Sequence, residues 1–230
     1  MTAAPRSMVL LGASGLVGGK LLRRVSEGAQ YASVTVLTRR PIGVPAGKVR
    51  ELVVDFDRPE TFRDHVAVDD VFCCLGTTIK KAGSQAAFRK VDLEAPLAVA
   101  QAAREAGATR YLIVTAVGAS AKSGVFYNRV KGEVEAGLVA LKFPRGVKIL
   151  HPSLIMGERP ERRPAESVAM TLMGATRGLF VGSLERYRAI DADDVAAAML
   201  DAASDSSVED AVYEGARLFE AAARGRAGDG

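Results

Sequence analysis

Tyr127 and Lys131 stand four residues apart within 124–141, a stretch whose apolar spacing predicts a helix, so both side chains fall on one helix face, one turn apart. That pairing suits carbonyl reduction. The phenol supplies a proton as hydride arrives, while the ammonium lowers the phenol's pKa and holds a nicotinamide ribose. With five Tyr and nine Lys in 230 residues, roughly 0.2 such pairs arise by chance, so the spacing needs a context. A second constellation supplies one. Gly12-Ala13-Ser14-Gly15-Leu16-Val17-Gly18 follows an apolar run, with glycines three and three apart. Glycine lets the backbone turn sharply and approach a pyrophosphate without a Cβ in the way, and the helix that follows offers unpaired amides and a positive dipole. Such triplets also mark close strand–helix packing; the place between a first strand and a first helix favours the dinucleotide reading.

A third position concerns which dinucleotide. An NAD-preferring site usually has a carboxylate at the end of the second strand, to accept hydrogen bonds from the ribose 2′-hydroxyl. Here that place reads Thr38-Arg39-Arg40. Guanidinium forks suit a 2′-phosphate, and each charge-assisted hydrogen bond contributes roughly 1.5–3 kcal/mol. NADP(H) is therefore expected over NAD(H), the alternative being that the arginines are solvated strand-end residues. Asp55, after the third strand, stands where a carboxylate reaches an adenine amino group, or is a loop aspartate.

These residues need a sheet to bring them together. Short β-branched runs at 8–11, 33–37, 49–54, 71–75, 110–115 and 147–150 alternate with helical patterns at 15–27, 84–106, 124–141 and 195–203. Pro96 predicts a kink or boundary in the second helix, and Asp193 and Asp194 read as N-caps of the last. The alternation predicts an α/β, Rossmann-like doubly wound parallel sheet with helices on both faces. Residues 1–230 read as one such domain, with 157–188 as a small C-terminal substrate-covering segment and 224–230 as a frayed tail.

Composition sets the bounds. Hydrophobic residues at 48% and charged residues at 25% are ordinary globular values, which exclude disordered and low-complexity classes. The longest stretch without Asp, Glu, Lys or Arg is 7–19, too short for a membrane span, and the polar start does not resemble a signal peptide. A net charge of +4 without a basic block argues against nucleic acid. Cys73 and Cys74 are adjacent and cannot form an ordinary bridge, and with only His65 and His151 beside them no zinc spacing emerges. No metal and a cytoplasmic, reducing location are expected, with a small-molecule substrate and a monomer or homodimer.

The glycine pattern, Leu75-Gly76-Thr77-Thr78 after strand four, the Tyr127 and Lys131 pair and His151-Pro152-Ser153 after strand six resemble the short-chain dehydrogenase/reductase superfamily. More narrowly, 72–78 and 127–135 are similar to the atypical, Tat-interacting-protein-like branch of NAD(P)H-binding oxidoreductases, over about 8–200. The resemblance implies a Rossmann domain with a small C-terminal substrate region. It implies that Tyr127 is the general acid and Lys131 its helper, that Leu75, Gly76 and Thr77 line the cofactor, and that Pro152 and Ser153 sit near the nicotinamide. His151 either contacts the cofactor by its place in the resemblance or is a satisfied buried histidine.

One departure concerns the serine that the superfamily usually places at the end of strand five. This chain reads Thr115-Ala116-Val117-Gly118-Ala119-Ser120. Thr115 supplies the hydroxyl in one alignment; in the other the serine falls on Ala116 and a donor is missing, a loss of about a hundred- to a thousandfold in turnover. Three functions follow: an NADP(H)-dependent reductase acting on a carbonyl or quinone-like molecule, a non-catalytic NADPH-binding regulatory protein, or a sugar-nucleotide epimerase-like enzyme. Arg159, Arg162, Arg163, Arg177, Arg186 and Arg188 read as a solvated basic face or as recognition of an acidic substrate. Leu172, Met173, Leu179, Phe180 and Val181 read as an apolar substrate wall, as packing residues or as a dimer contact.

Overall fold

The computed structural model describes residues 6–44, 46–157 and 186–228. Strand β1 (Arg6–Leu11) runs through the middle of a seven-stranded sheet. Its neighbours are β2 (Tyr31–Thr38) and β4 (Asp70–Cys73); β3 (Val49–Val53) lies outside β2. Beyond β4 come β5 (Arg110–Val114), β6 (Val147–His151) and β9 (Ala211–Glu214), giving the order β3-β2-β1-β4-β5-β6-β9 with every pairing parallel. The order reverses at β1. Ligands bind outside the carboxyl ends of the strands at such a reversal, here between β1 and β4.

Alternation along β1 shows how the two layers arise. Met8 and Leu10 face one side, against Val17 and Leu21 of α1 (Leu16–Glu27), while Val9 and Leu11 face the other. The first side also holds α6 (Ala192–Ser204) and α7 (Ala216–Ala227). The second holds α4 (Ala95–Glu105) and α5 (Phe126–Ala140), with α2 (Ile79–Ala82) and α3 (Gln85–Arg89) at the strand ends. Burial on both faces explains why the central strands read as unbroken apolar runs. A short pair, β7 (Ile155–Met156) with β8 (Ile190–Asp191), stands apart from the main sheet. No helix among the described residues is long and apolar enough to cross a membrane.

Four local expectations are corrected. The helix expected over 84–106 is three pieces, α3, a π-helical turn Lys90–Glu94 and α4. Pro96 has no amide to give the carbonyl four residues earlier, and the widened turn precedes it. The cap of α6 is Asp191, whose carboxylate accepts the Asp193 amide at 2.8 Å. Asp193 instead pairs with Arg24 at 2.6 Å, and Asp194 with Arg226. The expected tail is mostly helix: α7 runs to Ala227, Arg224 meets Asp201 at 2.9 Å, and Gly225 lets α7 lie against the Ala197 carbonyl. Finally, β9 adds a strand that the sequence did not suggest, its burial too irregular to show a clear alternation.

Candidate functional site

The chain leaves β1 through Gly12, at φ +81°, where a Cβ would lie 2.5 Å from the carbonyl carbon and oxygen of Cys74. Only glycine lets β1 and the end of β4 come this close. The Gly15 amide donates to the Gly12 carbonyl at 2.9 Å, and α1 then starts with Gly15 as its N-cap. That cap has no side-chain hydrogen bond, and the first turn holds no acidic residue. The leading amides therefore stay available to an anion. Gly18 seals the turn from behind: its Cβ would lie 2.1 Å from the Gly12 oxygen. Ser14 and Gly15 are exposed, Ala13 and Val17 are buried, and Leu16 packs beside Gly157. A backbone cradle that a Cβ would fill, with open helix amides, fits a pyrophosphate.

Arg39 and Arg40 are exposed directly after β2, on a loop organised by Glu51. The Glu51 carboxylate accepts the amides of Ile42 at 2.7 Å and Gly43 at 3.2 Å, and the Thr38 hydroxyl at 3.2 Å. Asp55 is exposed and shapes its own loop, its carboxylate accepting the Asp57 amide at 3.0 Å.

On α5, Lys131 lies under Tyr127, with Nζ 6.0 Å from the phenol ring centroid. The ring itself packs 5.7 Å from Phe88. Lys131 is buried and meets Asp92, a residue not singled out in the sequence, at 2.7 Å between Nζ and Oδ1. Asp92 rides on the π turn, and its other oxygen accepts the Thr77 amide at 3.0 Å. Burial works to lower the pKa of the Lys131 ammonium, but the charge and contact of Asp92, together with Tyr127 and Cys73, outweigh it and hold the pKa above the usual lysine value. Burial also pushes the Asp92 carboxyl up, with Lys131 opposing. The only hint of Asp92 in the sequence is its place one turn before Pro96, where a helix must open.

Thr115 follows β5, is 5% exposed, and its Oγ1 is buried with no hydrogen-bond partner among the described residues. A buried hydroxyl left unpaired costs about 1–3 kcal/mol, which a ligand atom would relieve. Ser120 is exposed further along the loop, its Oγ accepting the Lys122 amide at 3.3 Å. Leu75, Gly76 and Thr77 run out from β4, Gly76 beside the Lys131–Asp92 pair.

His151 ends β6 with both ring nitrogens engaged: Nε2 lies 2.8 Å from Glu135 and Nδ1 3.0 Å from Glu214. Burial would lower its pKa, yet the two carboxylates together raise it. Pro152 is buried beside it, and the Ser153 hydroxyl donates to the Arg188 carbonyl at 2.6 Å. A raised histidine pKa adds stability that is complete below the unfolded value of about 6.5 and disappears as pH rises through the folded value. In urea unfolding, the stability lead of the wild type over His151→Gln should therefore be largest near about pH 6 and shrink toward about pH 9. A constant lead would show that the imidazolium contributes nothing.

The remaining candidates take simpler roles. Cys73 and Cys74 are free, burial pushes both thiols up, and Cys74 Sγ rests 3.6 Å from Met199 Sδ, so both act as packing residues. His65 is half-buried in a single turn, Arg63–His65. Arg188 lies 3.7 Å from the Phe219 ring centroid, and Arg186 4.0 Å from Glu214. Arg159, Arg162, Arg163 and Arg177, with Leu172, Met173, Leu179, Phe180 and Val181, lie outside the described residues.

The model of a family described as NAD(P)H-binding matches residues 12–142, from the first glycine of the turn to the end of α5. The chain belongs to this NAD(P)H-binding family. Among relatives of this family member, rat protein HTATIP2 is 34% identical over 174 residues, covering 74% of this chain and 71% of the relative. The mitochondrial protein FMP52 of Candida albicans is 33% identical over 201 residues, covering 85% and 86%. These relatives bear out the resemblance to the Tat-interacting-protein-like branch. Solved structures agree on the fold of the NAD(P)H-binding chain. Helicobacter pylori ADP-L-glycero-D-manno-heptose-6-epimerase matches with a TM-score of 0.69 at 17% identity, covering 98% of this chain and 83% of that one. Thermotoga maritima UDP-glucose 4-epimerase gives 0.69 at 17% identity, covering 90% and 76%.

Proposed function

We propose that this protein is an NADP(H)-dependent oxidoreductase that reduces a carbonyl or quinone-like small molecule. The observation that carries the reading is the buried Lys131 ammonium 6.0 Å from the Tyr127 ring. Topology supports the reading: the glycine turn follows β1 and α5 follows β5, both at the carboxyl ends of parallel strands. The dinucleotide supplies the hydride. Backbone amides of the 12–18 turn hold its pyrophosphate, Leu75, Gly76 and Thr77 line its path, and Pro152 and Ser153 border the nicotinamide end. Tyr127 donates a proton to the substrate oxygen, Lys131 holds a ribose hydroxyl and favours the phenolate by its charge, and the unpaired Thr115 hydroxyl donates to the same oxygen. The expected substrate-covering segment 157–188 lies for the most part outside the described residues; of it, Gly157 lies beside Leu16 of α1 and the Arg188 carbonyl accepts the Ser153 hydroxyl.

Arg39 and Arg40 form the 2′-phosphate grip. Neither has an ion-pair partner among the described residues, and Glu51 fixes the loop that follows them. Replacing both by Ala should remove a preference of about ten- to a hundredfold for NADPH over NADH, read as the ratio of dissociation constants. An unchanged ratio would refute the assignment. The reducing environment suited to two free thiols supports a cytoplasmic location, and cell fractionation against the mitochondrial location in the FMP52 relatives' names would test it.

A second reading, a non-catalytic NADPH-binding regulator, draws on Ala116, which leaves Thr115 as the only hydroxyl at the end of β5. The deciding experiment incubates the protein with 4-deuterated NADPH and a panel of aldehydes, ketones and ortho-quinones. Deuterium in a reduced product, abolished in Tyr127→Phe, is expected. Tight NADPH binding without transfer to any acceptor would favour the regulator.

A further inference from the structure

Lys131 sits in the core as a charged group, its side chain 5% exposed and that of its partner Asp92 0% exposed. The charged and titratable groups around the ammonium are Asp92 from the π turn, Tyr127 from α5 and Cys73 from the end of β4; around Asp92 they are Lys131 and Cys73. Gly76 closes the remaining side, where a Cβ would sit 3.9 Å from Nζ and 3.8 Å from Asp92 Oδ1. Burial by itself drives an ammonium to shed its proton, because the neutral amine loses less on leaving water. The only carboxylate against Lys131 among these groups is Asp92, and the same side chain also holds the Thr77 amide.

We propose that Asp92 is a positioning residue that keeps Lys131 protonated inside the core and ties that charge to the Gly76–Thr77 loop, so that the grip on a dinucleotide persists at alkaline pH. The proposal rests on the dinucleotide reading above. Asp92→Asn is the informative substitution, since the amide keeps an oxygen for the Thr77 N–H and nearly the same volume, but removes the charge. The π turn gives the arrangement its geometry: it places Asp92 where one oxygen faces α5 and the other faces the loop after β4.

The test titrates NADP⁺ into wild type and Asp92→Asn by calorimetry between about pH 6.5 and 9.5, and melts both beside Lys131→Met and the double variant without dinucleotide. Near pH 6.5 the two affinities should agree within about threefold. Near pH 9.5 Asp92→Asn should bind at least about tenfold more weakly, while the wild type changes by less than about threefold. In the melts, Lys131→Met strands a buried carboxylate, and adding Asp92→Asn should raise its melting temperature. Parallel pH profiles for the two proteins, or a double variant that melts no higher than Lys131→Met, would overturn the role of Asp92 alone. Absence of NADP⁺ binding to the wild type at every pH would overturn the dinucleotide reading, and the proposed grip with it.

Discussion

Tyr127→Phe should lower turnover with a carbonyl or quinone acceptor by about 10²–10⁴-fold while leaving NADPH affinity within about twofold. The substitution removes one oxygen and keeps the ring, and the ring is what packs: it lies 5.7 Å from Phe88 and over the Lys131 ammonium. The phenol oxygen makes no hydrogen bond with the described residues, so its loss breaks no structural bond. In the proposed mechanism its work falls on the reacting oxygen of the substrate, so the loss should appear in turnover and not in binding or folding. Single-turnover NADPH oxidation, with affinity measured separately by fluorescence, would separate the terms. Unchanged turnover in Tyr127→Phe would remove the tyrosine from the mechanism and leave Thr115 or a solvent molecule as the proton source.

Gly132→Ala should strongly destabilise the fold. A Cβ at Gly132 would lie 2.1 Å from the Ser120 carbonyl carbon and the Ala121 amide nitrogen, so the collision is with backbone that has no rotamer to change. In the native protein the loop after β5 lies flat on α5 here, and the Ser120 amide donates to the Asn128 carbonyl at 3.0 Å. Overpacking of this kind costs about 3 kcal/mol. At about 2–4 °C per kcal/mol for a chain of this size, the melting temperature should fall by about 6–12 °C. The displaced loop begins at Thr115 and crosses the helix that carries Tyr127 and Lys131, so turnover should drop by about 10²-fold as well. A scanning calorimetry trace matching the wild type would show that the loop does not bear on α5.

Much of this was legible in the residues. The glycine spacing 12-15-18 announced a turn that admits no Cβ, and a Cβ at Gly12 or Gly18 would lie within 2.5 Å of backbone in the folded chain. The β-branched runs gave six of the seven main-sheet strands, because strands buried on both faces need unbroken apolar sequence. The cap of α6 lies two to three residues before the expected Asp193 and Asp194, since Asp191, Asp193 and Asp194 all carry the same side chain and only their partners tell them apart. Placing His151 beside a cofactor rested on resemblance; both ring nitrogens are engaged by carboxylates from α5 and β9, 16 and 63 residues away in the chain.

The sequence by itself determined the periodic features of this protein: the alternation of strands and helices, the glycine turn, and a tyrosine and lysine one helical turn apart. Each depends on neighbours within a few positions, where backbone geometry dictates which side chains share a face. Only the tertiary structure decided that Lys131 is a buried ion paired with Asp92, that the Thr115 hydroxyl has no partner among the described residues, and that Gly132 is required by a loop lying across it. Those facts depend on the distance between groups brought together by folding, and burial makes each of them matter, because a charge or hydroxyl removed from water must find its partner within the protein.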